Sequence, residues 1–403
     1  MRDIIVIGGG AAGMMAALRA AEDPNNMVTV FERQARVGRK LLSTGNGRCN
    51  LSNTQAPQGH YHGEEAGFAL KALAEFGAKE TLAFFRSLGL LTVEEYGGRV
   101  YPLSNQANSV VDVLRFALER AGVRLVSGAA VEEIRHRGKK FTLRWAEGEM
   151  QADAVIVACG GCAGAKLGGV MDGYQLLQSL GHSRTALRPA LTQVRTDPTY
   201  PKALKGVKAD ALVSVRKGTK LLEQRRGEVL FTETGVSGTA VFELSRTVAA
   251  GGEGLEVCLD LFPDLEEDDL MAHFRNSRSQ LAALPANQIL TGTVHNRLGQ
   301  MLCKYAGIGQ DMEAGRLSEG QLEKLLRACR DFRLRVTGVS GFESAQVTAG
   351  GIRTAEFCPD TLESRLVPGL FACGEVLDID GDCGGFNLQW AWSSGYVAGR
   401  LGR

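Results

Sequence analysis

The first apolar run, Ile4 to Ile7, is unbroken and ends on three glycines; small and apolar residues then continue at helical spacing to about Glu22. Pro24-Asn25-Asn26 reads as a turn, and Met27 to Phe31 as a second apolar strand that ends at Glu32. Strand, helix and strand in that order predict a parallel sheet. Helical patterns follow over Phe68–Leu88 and Val110–Ala121. Val131 to Trp145 then reads as two strands around Arg137-Gly138-Lys139, and Ala154 to Cys159 as another buried strand.

The texture changes near Gln193. Over Lys208–Phe231 short apolar and basic stretches alternate around glycines, as in a small β domain, whereas Asp264–Arg335 is helical. Asp264-Leu-Glu-Glu267 and Ser318-Glu-Gly-Gln321 both match a capping box. Strand, glycine and loop return near Val347 and persist to the end, with no internal repeat. The expected architecture is therefore an α/β, Rossmann-like domain (residues 1–190 and 341–403). It is interrupted by a β-rich insert, 191–263, and a helical insert, 264–340.

A chain of 403 residues is long for one core, in keeping with two or three domains. Lys+Arg 46 against Asp+Glu 45 leaves a net charge of +1, which favours neither nucleic acid nor a membrane surface. Nine scattered cysteines argue against a disulfide framework and for a reducing cytoplasm. The strand starts at once, with no leader pattern, and no apolar run is long enough for a bilayer. A cytoplasmic globular protein is expected.

Gly8-Gly9-Gly10-Ala11-Ala12-Gly13 carries the three glycines of G-x-G-x-x-G. Gly8 permits a tight turn, Gly10 lets a diphosphate approach the backbone, and Gly13 lets helix and strand pack. The helix start adds N–H donors and the positive end of its dipole. Glu32 follows Gly13 by nineteen residues, at the end of the next strand, where an acid accepts from a ribose 2′-OH. Dinucleotide binding follows from all three parts together. A second basic, glycine-rich loop comes straight after: Arg33, Arg39 and Lys40, then Asn46-Gly47-Arg48-Cys49. NAD alone needs no such loop, but FAD proteins run one beneath the flavin and ribityl chain. AVIVACGG, with Gly160, resembles a strand-and-glycine segment beside the FAD of glutathione-reductase-like proteins, an ordinary buried strand with a glycine turn being the alternative. Near the end, Gly374-Glu375 stands where such proteins place Gly-Asp. Gly384-Gly385-Phe386-Asn387 opens a helix whose free N–H groups would oppose negative charge at the flavin N1/C2=O edge.

With these blocks in view the chain resembles a bacterial FAD-dependent oxidoreductase family that includes BaiN-type reductases of bile-acid intermediates and aminoacetone oxidases. The matching segments are IIVIGGGAAGMMAA, GRKLLSTGNGRCNLSN, GGRVYPLSNQANSVVDVL, LFTETGVSG, AQVTAGGI and GEVLDIDGDCGGFNLQWAWSSGYVAG, spread from residue 4 to 399. The resemblance implies FAD contacts at Ala12, Gly13, Glu32, Arg39, Lys40, Asn46, Val131 and Asn387 to Gln389. It departs at Ala163, Gly164 and Ala165, where family members more often carry Ser, Tyr and Pro. The resemblance implies that this segment borders the substrate side of the flavin, so the loss of an aromatic and a hydroxyl there puts the family's substrate assignments in question for this chain.

The expected activity is hydride transfer between FAD and a small organic substrate. On the resemblance this is reduction of an activated C=C bond, with NAD(P)H docking transiently because no second G-x-G-x-x-G follows a strand. An oxygen-using amine oxidase is the alternative. A third reading, an RNA-associated flavoprotein, would use Lys202–Arg226, with eight basic and two acidic residues, otherwise a solvated face. A redox sensor would use Cys159 and Cys162, whose bland reading is packing, as it is for Cys49 and Cys383. No metal is expected. His60-x-His62 lacks a third ligand, and Asp378, Asp380 and Asp382 mimic a calcium loop that would need glycine at Cys383 and glutamate at Gln389. No catalytic acid or base and no oligomeric state stand out.

Overall fold

The computed structural model describes residues 1–56, 59–309 and 311–402. Met1–Arg188 and Gln346–Arg403 form one compact unit, and Pro189–Ala345 a second.

In the first unit a five-stranded sheet runs in the order Leu370–Ala372, Ala154–Val157, Arg2–Ile7, Asn26–Glu32, Arg124–Ser127. Its pairings are all parallel, with Ile4 opposite both Ala154 and Val28. Ile4 to Ile7 are buried, as a central strand covered on both faces requires. The last helix, Phe386–Gly399, packs against the first, Ala11–Ala20. A Cβ on Gly395 would fall 2.4 Å from the Ala12 carbonyl, and one on Gly399 2.5 Å from that of Ala16. Small residues four apart on both helices thus let two backbones touch and join the ends of the chain. The last helix also buries Trp390 and Trp392, whose indole N–H groups donate to Gly374 O (3.1 Å) and Leu51 O (2.9 Å).

The helix expected over Phe68–Leu88 is two, Ala69–Glu75 and Ala78–Ser87, broken at Gly77. The break frees the Phe76 carbonyl, which accepts from Gln389 Nε2 (3.1 Å) and Ser393 Oγ (2.6 Å) of the last helix.

The second unit is a closed six-stranded barrel, Val194–Thr196, Gly235–Ser237, Lys220–Thr232, Lys208–Lys217, Leu255–Asp260 and Phe332–Val339 in spatial order. The helices Glu267–Gln280, Asn296–Tyr305 and Glu319–Arg330 enter the chain between its last two strands. Residues 191–263 and 264–340, expected as two inserts, share one core. Val213, Phe231 and Val257 of the barrel pack with Phe274, Leu302 and Leu322 of the helices. Three short amphipathic helices have too little apolar surface for a separate core, so their stripes are buried on the barrel. The capping box at Ser318 forms, with Gln321 N donating to Ser318 Oγ (3.3 Å) and Ser318 N to Gln321 Oε1 (3.0 Å). The box at Asp264 does not. That helix begins after Glu266, and Asp264 is bound through both oxygens by Arg226. Charged hydrogen bonds from a neighbouring strand outcompete one capping bond. On the basic stretch, Lys205, Lys208, Arg225 and Arg226 all pair with acids.

The first unit also holds a buried polar knot. His182 Nε2 meets Ser364 Oγ at 3.0 Å and Nδ1 meets Glu356 Oε2 at 2.9 Å, while Ser364 Oγ accepts the Leu366 and Val367 N–H groups. Burial pushes the His182 pKa below its ordinary 6.5, more than Glu356 raises it. The unfolded chain therefore binds this proton first as pH falls. The stability is complete above the ordinary value and declines below it. Between about pH 7.5 and 5.5, urea unfolding should show the native protein losing more stability than His182→Gln, and parallel curves would contradict this.

Candidate cofactor site

The first helix begins with no side-chain cap and no acid in its first turn, so its leading N–H groups face outward without intrahelical acceptors. The three glycines of the loop do different work. A Cβ on Gly13 would fall 1.8 Å from Gly8 O, and one on Gly8 (φ +107°) 2.4 Å from Ala158 O, so these two close the loop against its own fold. A Cβ on Gly10 would meet nothing within 4 Å, and the open space lies in front of the uncapped helix. Glu32 is held at the strand end by Gly9 N on Oε2 (2.8 Å) and Gln34 N on Oε1 (2.7 Å). The start of the Val131 strand lies beside it, since Ala129 N donates to Glu32 O (3.0 Å).

Of the basic residues, Arg33 turns to Asp172 (2.8 Å) and Arg39 to Gln34 (2.6 Å). Lys40 reaches across 335 residues of chain to Glu375, Nζ to Oε2 2.7 Å, while Glu375 Oε1 accepts Thr348 N (2.7 Å). Gly161 is closed over this pair, for a Cβ there would fall 2.5 Å from Glu375 Oε1. Its neighbour Gly160 (φ +73°) faces open space. The loop after Lys40 is left-handed at Gly45, Asn46, Gly47 and Cys49. For Asn46 (φ +56°) and Cys49 (φ +60°) that conformation costs on the order of 1 kcal/mol each. Arg48 braces it through Asn105 (2.6 Å) and Glu95, with its guanidinium 4.1 Å over the Tyr101 ring.

The thiols here are not poised to react. Burial pushes Cys49 and Cys159 up to about 12, and raises Cys162 as well. Cys159 Sγ donates to Ile7 O, and Cys162 lies against Thr348 Oγ1. Cys159 and Cys162 are not joined in a disulfide, and packing, not a dithiol, describes the pair.

At the far end of the chain, Gly374 lies against the first helix (its Cβ would sit 2.9 Å from that of Ala12) and donates its N–H to Ser394 Oγ. A Cβ on Gly385 (φ +104°) would fall 2.3 Å from Ser52 O and 2.9 Å from Asn50 Oδ1, a buried acceptor without a hydrogen-bond partner. The helix beyond has no side-chain cap. The expected cofactor contacts Asn387 and Gln389 do other work with their side chains. Asn387 clasps Gly381 N and O (both 2.8 Å), and Gln389 is fully buried among Ser52, Phe76, Thr81 and Ser393. The N–H groups of Phe386, Asn387 and Leu388, in the first turn, have no intrahelical acceptor. Two uncapped helix starts, an orphaned acceptor and glycine cradles fit a long anionic cofactor with a polar ring edge.

Sequence reasoning left two groups aside. Thr348, which anchors Glu375, gave no local signal. Asp382, which joins His60 (3.0 Å) and His62 (2.6 Å), was set aside with the metal readings. The i, i+2 spacing of the histidines on a short strand was the available clue. Among the described residues no cluster of three His, Cys, Asp or Glu side chains is placed to hold a metal, and no helix is long and apolar enough to cross a membrane.

Residues 2–401 match the family described as HI0933-like protein Rossmann domain. The chain is 41% identical over 404 residues to a 3-dehydro-bile acid delta(4,6)-reductase of Clostridium scindens, covering 99% of this chain and 98% of that protein. It is 29% identical over 401 residues to a ribosomal RNA dihydrouridine synthase of Escherichia coli, covering 98% and 96%. Among solved structures, a 3-ketosteroid delta1-dehydrogenase from Sterolibacterium denitrificans aligns over 99% of both chains with a TM-score of 0.51 at 14% identity, which shows the shared fold. With a whole-length family match laid over these glycine cradles, the chain belongs to the HI0933-like Rossmann family and is an FAD-dependent oxidoreductase.

Proposed function

We propose that the protein reduces an activated C=C bond in a small organic molecule, with electrons from NAD(P)H. The observation that supports this most is the 41% identity, over nearly the whole of both chains, to a protein named for such a reduction. FAD, when bound, supplies the hydride chemistry. The first-helix N–H groups around Gly10 to Gly13 hold its diphosphate and Glu32 its ribose. Lys40, fixed by Glu375, lies along the same channel with Arg39, Asn46 and Gly160. The Phe386–Leu388 amides oppose negative charge at the ring edge. Nine cysteines scattered along the chain fit a reducing cytoplasm.

A second reading, reduction of a pyrimidine in RNA, is favoured by the relatives named ribosomal RNA dihydrouridine synthase. Dihydrouridine is uridine with its ring C=C reduced, so the chemistry is shared and only the substrate differs. The paired charges of the barrel hairpin weigh against a phosphate-binding face there. Anaerobic spectroscopy separates the readings. NADH or NADPH should bleach the yellow protein, and an α,β-unsaturated ketosteroid should restore the colour. Restoration by RNA alone selects the second reading, and bleaching only by an amine such as aminoacetone removes both.

A further inference from the structure

Asp382 carries an imidazole on each oxygen, His60 Nδ1 at 3.0 Å from Oδ2 and His62 Nε2 at 2.6 Å from Oδ1. The two rings share a side of the chain because Tyr61, between them, is buried with its hydroxyl donating to Phe386 O (3.2 Å). His60 also stacks on Phe386, 4.2 Å between ring centres, at the uncapped start of the last helix.

These side-chain bonds are not needed to join the segments. The strand Tyr61–His62 already pairs with Asp380–Gly381, and Asp382 N donates to His60 O (2.9 Å). What the side chains add is orientation. The outer nitrogens, His60 Nε2 and His62 Nδ1, have no protein partner among the described residues. The histidine side chains are 35% and 30% exposed, whereas the carboxylate behind them is 13% exposed. A sheltered carboxylate fixing an imidazole by one nitrogen, with the other open, is the arrangement used for proton transfer. Burial opposes ionisation of Asp382, but the hydrogen bonds from His62 and His60 overcome it and hold the carboxyl below its usual range. The other ionisable groups around the cluster are consistent with this division. Tyr61 is kept protonated by burial, Glu64 is paired with Arg353, and Asp378 accepts Glu64 N, with Asp380 and Cys383 alongside in the chain.

We infer that His60 and His62, oriented by Asp382, are the proton source of the reduction, an inference that rests on the reductase reading. When hydride from the reduced flavin adds to the β carbon of the activated C=C, the π pair moves to the α carbon. An imidazolium N–H bond then breaks and its proton forms the α C–H bond. The flavin is oxidised, the substrate gains two electrons and two hydrogens, and the neutral imidazole is reprotonated from water.

The test uses the FAD-loaded protein and the variants His60→Gln, His62→Gln, both together, and Asp382→Asn. Flavin content and dithionite bleaching establish that each variant is loaded. Reoxidation by an unsaturated ketosteroid is then followed from about pH 5.5 to 9, together with imidazole C–H resonances in the flavin-free and loaded proteins. The double variant should retain flavin yet reoxidise on the order of 100-fold more slowly near neutral pH, without the wild-type pH limb. Each single variant should lose less, because the second ring still donates. As a positioning change, Asp382→Asn should slow reoxidation while retaining flavin and shift the C–H resonances of both imidazoles. Wild-type reoxidation and pH profile in the double variant would overturn the assignment, as would imidazole resonances unmoved by Asp382→Asn. A wild-type protein that takes up no FAD, or is not reoxidised by the enone, would instead sink the reductase reading.

Discussion

Gly10→Asp should yield a folded protein that purifies colourless. The backbone there (φ −80°, ψ −169°) suits any residue, and a Cβ meets nothing within 4 Å, so the substitution strains nothing. Aspartate at the cap position would accept from the first-turn N–H groups and stabilise the helix by a few tenths of a kcal/mol over glycine, with about 0.5 kcal/mol more from the dipole. The same carboxylate would stand in the proposed diphosphate site, where it would both fill the space and repel the charge. FAD affinity should fall at least about 100-fold, roughly 3 kcal/mol, while thermal unfolding without added FAD is unchanged or slightly later. Gly13→Ala is the contrasting control: its Cβ would lie 1.8 Å from Gly8 O, so the fold itself suffers. A yellow Gly10→Asp protein of ordinary FAD affinity would remove the diphosphate from this helix.

Gln389→Leu should be the more damaging change to stability. Gln389 accepts from Ser52 Oγ (2.6 Å), and its Nε2 lies within 3.1 Å of Phe76 O, Thr81 Oγ1 and Ser393 Oγ. Leucine nearly matches its volume but leaves the Ser52 and Thr81 hydroxyls, both fully buried, without this partner. At about 1–3 kcal/mol for each stranded group, the loss should be roughly 3–5 kcal/mol in urea unfolding. FAD binding should weaken as a consequence, because Ser52 O is the atom against which Gly385 closes. A loss below about 1 kcal/mol would mean that water or local rearrangement takes over these bonds.

These two residues also mark what is local in the chain and what is not. Gly10 was legible because its job is local: a strand, a tight turn and a helix start within a few residues, whose geometry follows from backbone sterics. Gln389 enters as a cofactor contact only through the family resemblance. Its partners lie at Ser52, Phe76 and Thr81, more than 300 residues earlier, and the break at Gly77 is what presents the Phe76 carbonyl to it. The two capping boxes divide in the same way. Ser318 and Gln321 satisfy each other, whereas the equally good pattern at Asp264 yields to an arginine from a barrel strand.

The buried parallel strands and the nucleotide loop follow from near-neighbour sterics and the period of apolar residues, which a short window of the chain displays, and the family motifs are legible by their resemblance. The merging of two expected inserts into one core, the Lys40–Glu375 bridge and the His60–Asp382–His62 cluster depend instead on surfaces that meet only after collapse. Glycines on the last helix lie flush against alanines of the first, and that contact sets which distant polar groups come within bonding distance. Hydrogen bonds act over about 3 Å. Pairings between residues hundreds of positions apart are therefore set by packing, and leave no periodic trace in the chain itself.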